Sequence, residues 1–442
     1  MPTDTKLSVL IAGAGLGGLM LGALLEKAGI PYCIYERTAV IKPLGAALLV
    51  GPGLMPILEQ LGIFEEFIAL GKPTMECTIS REKTQMFTIP YHSQVEYTGY
   101  YSYIIPRPMF YDLLLKQIPA HKVLFNKRVL SVEELDDTVK IQTSDGSIYE
   151  GDILVGADGA YSAVRQRFYE NLKKDGKLPA SDQEELPFNS TCLFGQTEVI
   201  DYEAVFPEFQ KPVVRFYSTM GDSKPYTWSV HATSASTCTW MIIHHLDKAS
   251  SKAAEEQRFR ESENSQWGPG AAQAMIDETR DFPLPFGNKD KTLGYLYDLT
   301  PKDRISKVML EERVFETWHS GRVVLLGDAC HKLNPAGTQG AITAMHDAIA
   351  IANQLYALRA NTRKEIEKAF SEYKAERSEP AIEAYHSSKA LAKYSEGGIL
   401  GAVALFVLGH LPEFLLNFMT KRWVLEAGAV EGLCTCGSVT EY

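Results

Sequence analysis

The stretch "LSVLIAGAGLGGLMLGALLEKAGIPYCIYER", Leu7 to Arg37, constrains this chain more than any other. Val9 to Ile11 is a run of branched apolar residues and predicts a buried strand. Leu16 to Lys27 carries apolar residues three and four apart and predicts a helix, which Gly29 ends. "YCIYE" predicts a second strand ending at Glu36. Strand, glycine turn, helix and strand make one βαβ unit, the building block of a parallel sheet flanked by helices. Gly13, Gly15 and Gly18 fall in its turn as GxGxxG. The first permits the tight turn, the second lets a pyrophosphate approach the backbone, and the third lets helix and strand pack closely. The helix N-terminus then faces the phosphates, and Glu36 stands where a carboxylate accepts ribose hydroxyls. The unit predicts dinucleotide binding. Arg37 faces an adenine or is a solvated surface charge, and both readings stay open.

With 442 residues, 45% of them apolar, the chain has enough material for one large domain or two intimate ones. A net charge of -11 leaves no basic field for nucleic acid. Seven cysteines are too few and odd in number for a disulfide framework, so a reducing compartment is expected. The start, "MPTDTKLSVLIAGAGLGG", passes from a polar stub into the fold pattern, so secretion is not expected. Residues 75 to 105 alternate and predict antiparallel sheet. "RPMFYDLLLKQI" predicts a helix. "TSDGS" predicts a hairpin turn, and "DILVGADG" a buried strand. Residues 190 to 245 form a second strand-rich zone, and 251 to 280 read as helical. "RVVLLGDA" predicts another buried strand, followed by a helix from about Ala341 to Leu358. The apolar run Ile399 to Gly409 is broken by His410, Pro412 and Glu413, short of the 18 or more residues of a clean membrane span.

"GDACHKLNPAGTQGAITAMHDA", Gly327 to Ala348, gathers Asp328, His331 and Asp347 in the manner of a hydrolytic dyad or a metal site. No Ser or Cys nucleophile is indicated beside them, and no metal is expected elsewhere: His244 and His245 lack further ligands at useful spacing, and Cys434 and Cys436 form a lone CxC. Together with the N-terminal unit and "DILVGADGAYSAVRQRF", this segment resembles three motifs of the single-component FAD-dependent aromatic hydroxylase-like monooxygenases (group A), in their fungal secondary-metabolism branch. The resemblance covers roughly residues 7 to 380. It implies an α/β, Rossmann-like FAD-binding fold with an interleaved mixed-sheet substrate domain and a helical C-terminal region. The implied division is 1–74, 106–185 and 300–380 for FAD, 75–105 and 186–299 for substrate, and 381–442 as a helical, partly apolar region.

The resemblance also assigns residues. Asp158, with Gly159, Ser162 and Arg165, matches the segment near the join of FAD and the nicotinamide approach. Arg107 matches an arginine near the FAD phosphates. Gly45 and Ala46 match a glycine-rich flavin-side segment. Asp328 matches the aspartate that binds the ribityl chain, Pro335 the proline lining the isoalloxazine ring, and Gly337, Thr338, Gln339 and Gly340 the loop facing the pyrimidine end. Lys332, Ile342 and His346 depart from the family pattern. The implied activity uses NADPH or NADH as transient donor and O₂ as co-substrate. Reduced flavin forms C4a-hydroperoxyflavin, which hydroxylates or epoxidises an apolar or aromatic secondary metabolite; the cofactor supplies the oxygen chemistry and the protein the positioning. Tyr217, Trp228, His231 and Trp240 are candidate walls of the substrate site; no catalytic base emerges. The alternatives are a flavin-dependent halogenase, against which stands the lack of a WxWxIP segment, and a non-catalytic flavin-binding protein. Residues 396–423 either meet a membrane surface on the cytoplasmic face or pack as a buried helix on the catalytic body.

Overall fold

The computed structural model describes residues 7–41, 47–184, 188–222, 224–246, 269–287, 290–334, 338–395, 407 and 410–411. Val9–Ala12 (β1), Tyr32–Tyr35 (β2), Val123–Leu124 (β7), Ile153–Gly156 (β11), His319–Ser320 (β18) and Val323–Leu325 (β19) form one sheet, in the order β18-β19-β11-β1-β2-β7. All its pairings but the β18–β19 ladder at the edge are parallel. Parallel strands are covered by helices on both faces, so they carry apolar residues at every position rather than alternately. β1, β11 and β19 are accordingly buried throughout. The predicted βαβ unit is present, with its helix at Leu16–Ala28. That helix packs against the Gly340–Ala357 helix. A Cβ at Gly17 would lie 2.7 Å from Leu326 and 3.3 Å from the Ala344 methyl, which shows how closely the first glycine turn is pressed to the Gly327 segment.

Ala47–Val50 (β3), Lys72–Arg81 (β4), Thr84–Pro90 (β5), Ser102–Pro106 (β6), Phe188–Gln196 (β12), Val214–Met220 (β13), Tyr226–Ala232 (β14), Cys238–His245 (β15) and Ser306–Glu311 (β16) build a larger mixed sheet. Its order is β16-β12-β15-β14-β13-β4-β6-β3, with β5 on β4. β3 and β16 were expected in the FAD-binding portion, yet their backbones complete the edges of this sheet; β3 pairs with β6, and β16 with β12. Val129–Glu134 (β8), Val139–Thr143 (β9) and Ile148–Gly151 (β10) form the expected hairpin layer, turning at Gly146. Arg313–Val314 (β17) and His331–Lys332 (β20) make a short ladder beside the Gly327 turn.

Two cores result. One surrounds the parallel sheet and its helices. The other lies between one face of the large sheet and the segments 200–209 and 275–297. The Arg363–Ser395 helix closes the described body. Among the described residues no helix is long and apolar enough to cross a membrane. The apolar run at 399–409 and the expected surface contact at 396–423 lie almost wholly outside the described residues.

Candidate functional site

The glycine turn divides its labour among three positions. Gly13 has φ +105°, a conformation that a side chain resists, and a Cβ there would lie 2.4 Å from the Ala157 carbonyl oxygen. A Cβ at Gly18 would lie 2.1 Å from the Gly13 carbonyl oxygen. Gly15 is different: a Cβ there meets nothing within 4 Å. Its openness leaves the first turn of the Leu16–Ala28 helix approachable, and no side chain caps that turn. Free N–H groups at a helix start are an anion cradle. Glu36 is buried at 7% exposure and accepts from the Ala14 N–H (2.9 Å) and from the Thr38 N–H and hydroxyl (2.9 Å each). An ionised carboxylate has about four acceptor sites, so one is left for a ribose hydroxyl. Arg37 is exposed beside it.

A second set faces the same region from the Gly327 segment. Gly327, at φ +60°, ends β19 in a sharp turn that presents Asp328. The Lys332 ammonium lies 2.6 Å from the Asp328 carboxylate, and both side chains keep partial exposure. Burial alone would raise the Asp328 carboxyl, but the charges of Lys332, His331 and Arg107 outweigh it and hold the pKa below the ordinary carboxylate range. Arg107 opens the Arg107–Leu115 helix with an exposed side chain. Loss of hydration to the surrounding protein lowers its pKa even so, and the charge of Asp328 raises it, so the two groups sense each other. Thr338, Gln339 and Gly340 are half-buried at the start of the Gly340–Ala357 helix, which also has no side-chain cap. A Cβ at Gly340 would stand 3.9 Å from Asp328. Two uncapped helix starts, Arg107 and Lys332 thus offer positive charge and donors, while Glu36 and Asp328 offer acceptors. That donor set fits a dinucleotide with a pyrophosphate and polyol chain. Gly45, Ala46, Pro335 and Gly337 lie outside the described residues.

His331 and Asp347 do form a pair, 2.5 Å apart, but both side chains are fully buried. Asp347 also accepts from the Gly327 N–H at 2.9 Å and from Arg377 Nε at 3.1 Å. Burial would push the imidazole down; Asp347 reverses this and lifts its pKa well above the usual value. Cys330 joins these two within metal-ligating distance, yet the guanidinium on the same carboxylate already supplies the positive charge a cation would bring. Sealed from solvent, the pair is a clamp on the Gly327 turn rather than an acid–base dyad. Two further residues, to which the sequence assigned no role, complete it. Tyr373 donates to the Leu325 carbonyl at 3.0 Å, and Arg377 reaches Asp347, both from the Arg363–Ser395 helix. Nothing local distinguishes Arg377 from its charged neighbours on that helix.

Asp158 accepts from the Ser162 hydroxyl and from the Ala163 and Val164 N–H groups at 2.7 and 3.1 Å, so its carboxylate secures the start of the Ala163–Lys174 helix. Burial raises its pKa against those bonds. Arg165 donates to the Ala329 carbonyl at 2.7 Å and lies 4.2 Å from the centre of the Phe315 ring. It ties this motif directly to the Gly327 turn.

The expected substrate walls lie on β13, β14 and β15 of the large sheet. Tyr217, Trp228 and Trp240 point into the second core, at 8%, 2% and 0% exposure. The Trp228 indole donates to the Pro283 carbonyl and the Trp240 indole to Thr300, which fixes both rings under the covering helices. Strand alternation puts His231 on the opposite face.

A family model described as "FAD binding domain" matches residues 6–257 and 296–387. The chain is 28% identical over 407 residues to the FAD-dependent monooxygenase paxM of Penicillium paxilli, covering 88% of this chain and 79% of that one. It is 30% identical over 364 residues to the FAD-dependent monooxygenase prhF of Penicillium brasilianum, covering 79% and 70%. Its fold matches Klebsiella pneumoniae HpxO complexed with FAD and uric acid, with TM-score 0.75, 20% identity and 96% and 98% coverage. The match to the FAD family model over most of the chain, with relatives named as monooxygenases along the same length, places this protein in the FAD-dependent monooxygenase family, among its fungal members.

Proposed function

We propose that this monooxygenase takes electrons from NADPH or NADH and adds one atom of O₂ to an apolar or aromatic secondary metabolite, by hydroxylation or epoxidation. The observation that carries the FAD part is the convergence of the two uncapped helix starts with Glu36 and Asp328. Bound there, FAD supplies the redox and oxygen chemistry. In this reading the open Gly15 and the Leu16 N-terminus receive the pyrophosphate, and Glu36 the adenosine ribose. Arg107 balances phosphate charge, Asp328 accepts from the ribityl chain, and Gly45, Ala46, Pro335 and the Gly337–Gly340 loop flank the ring. Asp158 and Arg165 brace the nicotinamide approach. The substrate lies between the ring and the large sheet, and residues 396–423 bring the enzyme to a membrane surface.

The purified protein is expected to show flavin absorption or to take up FAD; a protein that does neither would overturn the proposal. Incubation with NADPH or NADH, O₂ and an aromatic-to-terpenoid panel is expected to give substrate-dependent nicotinamide oxidation and a product heavier by one oxygen atom. Oxidation that no panel member stimulates would count against it. Glu36→Ala is expected to weaken FAD binding by about 10- to 100-fold, the worth of one charge-assisted hydrogen bond. Fluorescence titration of the apoprotein measures it, and an unchanged Kd would remove Glu36 from the site. Sedimentation with membranes, with and without residues 396–423, tests the surface contact: co-sedimentation that deletion does not reduce would exclude it.

A further inference from the structure

The large sheet has two unlike faces. One is sealed by the second core, which also takes in Phe216 and Cys77 at the margin of the other. The other is the face of Phe216, His231, Thr239 and Gln196, with Ser218, Ser229, Met241 and Phe194 in the next row; cross-strand pairing aligns both rows. Although these strands are central, Phe194, Gln196, Ser218 and Met241 on this face keep partial accessible surface. It also holds polar atoms without partners. Both ring nitrogens of His231, the Thr239 hydroxyl and the Ser229 hydroxyl are buried and unbonded. His231 is 3% exposed, Thr239 0% and Ser229 6%.

A buried polar atom left unpaired is unfavourable, because it loses its bonds to water and gains none in return. Valine would replace Thr239 with almost no change of shape, and Phe216, 4.3 Å from the His231 ring, shows that an apolar ring fits this row. Four such atoms on adjoining strands therefore call for a partner from outside the chain. We propose that Ser229, His231 and Thr239 form a hydrogen-bonding subsite for a neutral hydroxyl, carbonyl or N–H group of the substrate. This rests on the reading that substrate lies against this sheet.

The chemistry of the row selects that class. Burial pushes the His231 imidazole down to about 4, so the ring is neutral at pH 7. A neutral imidazole donates from one nitrogen and accepts at the other, and hydroxyls do both. No charged side chain stands in the row, so a carboxylate would be buried without compensation. The location makes these positioning residues. The charge of Lys332 reaches Cys192 on this same face, opposing the burial that raises that thiol. Gln196, in the His231 row, lies four residues further along β12, about 13 Å away. The subsite thus holds a polar group remote from the Gly327 turn.

Equilibrium dialysis of the FAD-loaded full chain against 4-phenylphenol and against biphenyl tests this. The phenol is expected to bind about 10-fold more tightly. The His231→Leu, Thr239→Val double variant should remove that preference while leaving biphenyl affinity unchanged; Thr239→Ser should keep it. General damage would weaken both probes together, so the ratio reports the subsite. Should the double variant fail to fold, the near-isosteric Thr239→Val alone serves, with a preference reduced about threefold. Equal affinities in the native protein, a preference that survives the substitutions, or binding of neither probe would overturn the subsite. Failure to bind FAD would instead sink the function on which it rests.

Discussion

Asp347→Ala is expected to lose about 3–5 kcal/mol of stability, whereas Asp328→Ala, nineteen positions earlier, loses under about 1 kcal/mol. Both aspartates sit in the same motif and both have lowered pKa values. Their surroundings set the difference. Asp347 is fully buried and holds three groups: His331, Arg377 and the Gly327 N–H. Removing it strips its carboxylate from two buried basic side chains and leaves the Gly327 N–H without its acceptor. Asp328 is about one-third exposed and pairs with a partly exposed Lys332, so water replaces much of what is lost. The order of effects on FAD is expected to reverse: a folded Asp328→Ala protein should bind FAD at least about 10-fold more weakly, since one charge-assisted contact goes. Urea denaturation with FAD titration measures both. An Asp347→Ala protein as stable as the native one would show that the clamp carries no load, and an unaltered FAD affinity in Asp328→Ala would free Asp328 from the site.

The same contrast shows what the sequence could reveal. The glycine turn was legible because much of what determines it is local: Gly13 has φ +105°, and a Cβ at Gly18 would meet the Gly13 carbonyl oxygen. Asp328 and His331 stood out as chemistry-bearing types, but their separate fates depend on contacts the motif does not contain. Arg377 lies thirty residues from Asp347 and shares a helix with many solvated charges. The aromatic strands hide their faces for another reason. β14 is buried at every position, so its alternation is hidden and the faces of Trp228 and His231 cannot be told apart from composition. Only the covering segment around Pro283 and Thr300 decides which face is sealed. The sheet that β3 and β16 join was not legible either, because partner strands 50 or more residues away, or more than 100, complete it.

Stability is expected to fall steeply as pH drops from 6.5 to 4. His231, His245 and His346 are each buried, and burial lowers all three to about 4. In the unfolded chain a histidine takes up its proton near pH 6.5. Between 6.5 and 4 the unfolded state therefore binds protons that the folded state refuses, and stability declines with acidification. A depression of this size corresponds to about 3 kcal/mol for each histidine, and three together approach the whole stability of a typical domain. His331 behaves oppositely: its raised pKa gives stability that is complete below 6.5 and is lost as pH rises through the folded value. It does not offset the decline. Asp328 and Asp347, with lowered pKa values, lose their contributions only below the ordinary carboxylate range. Burial raises Asp158, Glu134 and Glu376, which lessens the slope near its acidic end. Thermal unfolding at fixed ionic strength from pH 7.5 to 4.5 reads the effect. His346→Asn should remove less than one-third of the pH-dependent loss, because one titration then disappears from a set that also includes His319, which burial and the charge of Lys374 push down. A midpoint that stays level from pH 6.5 to 4.5 would mean that water reaches these rings and that the face bearing His231 is already hydrated.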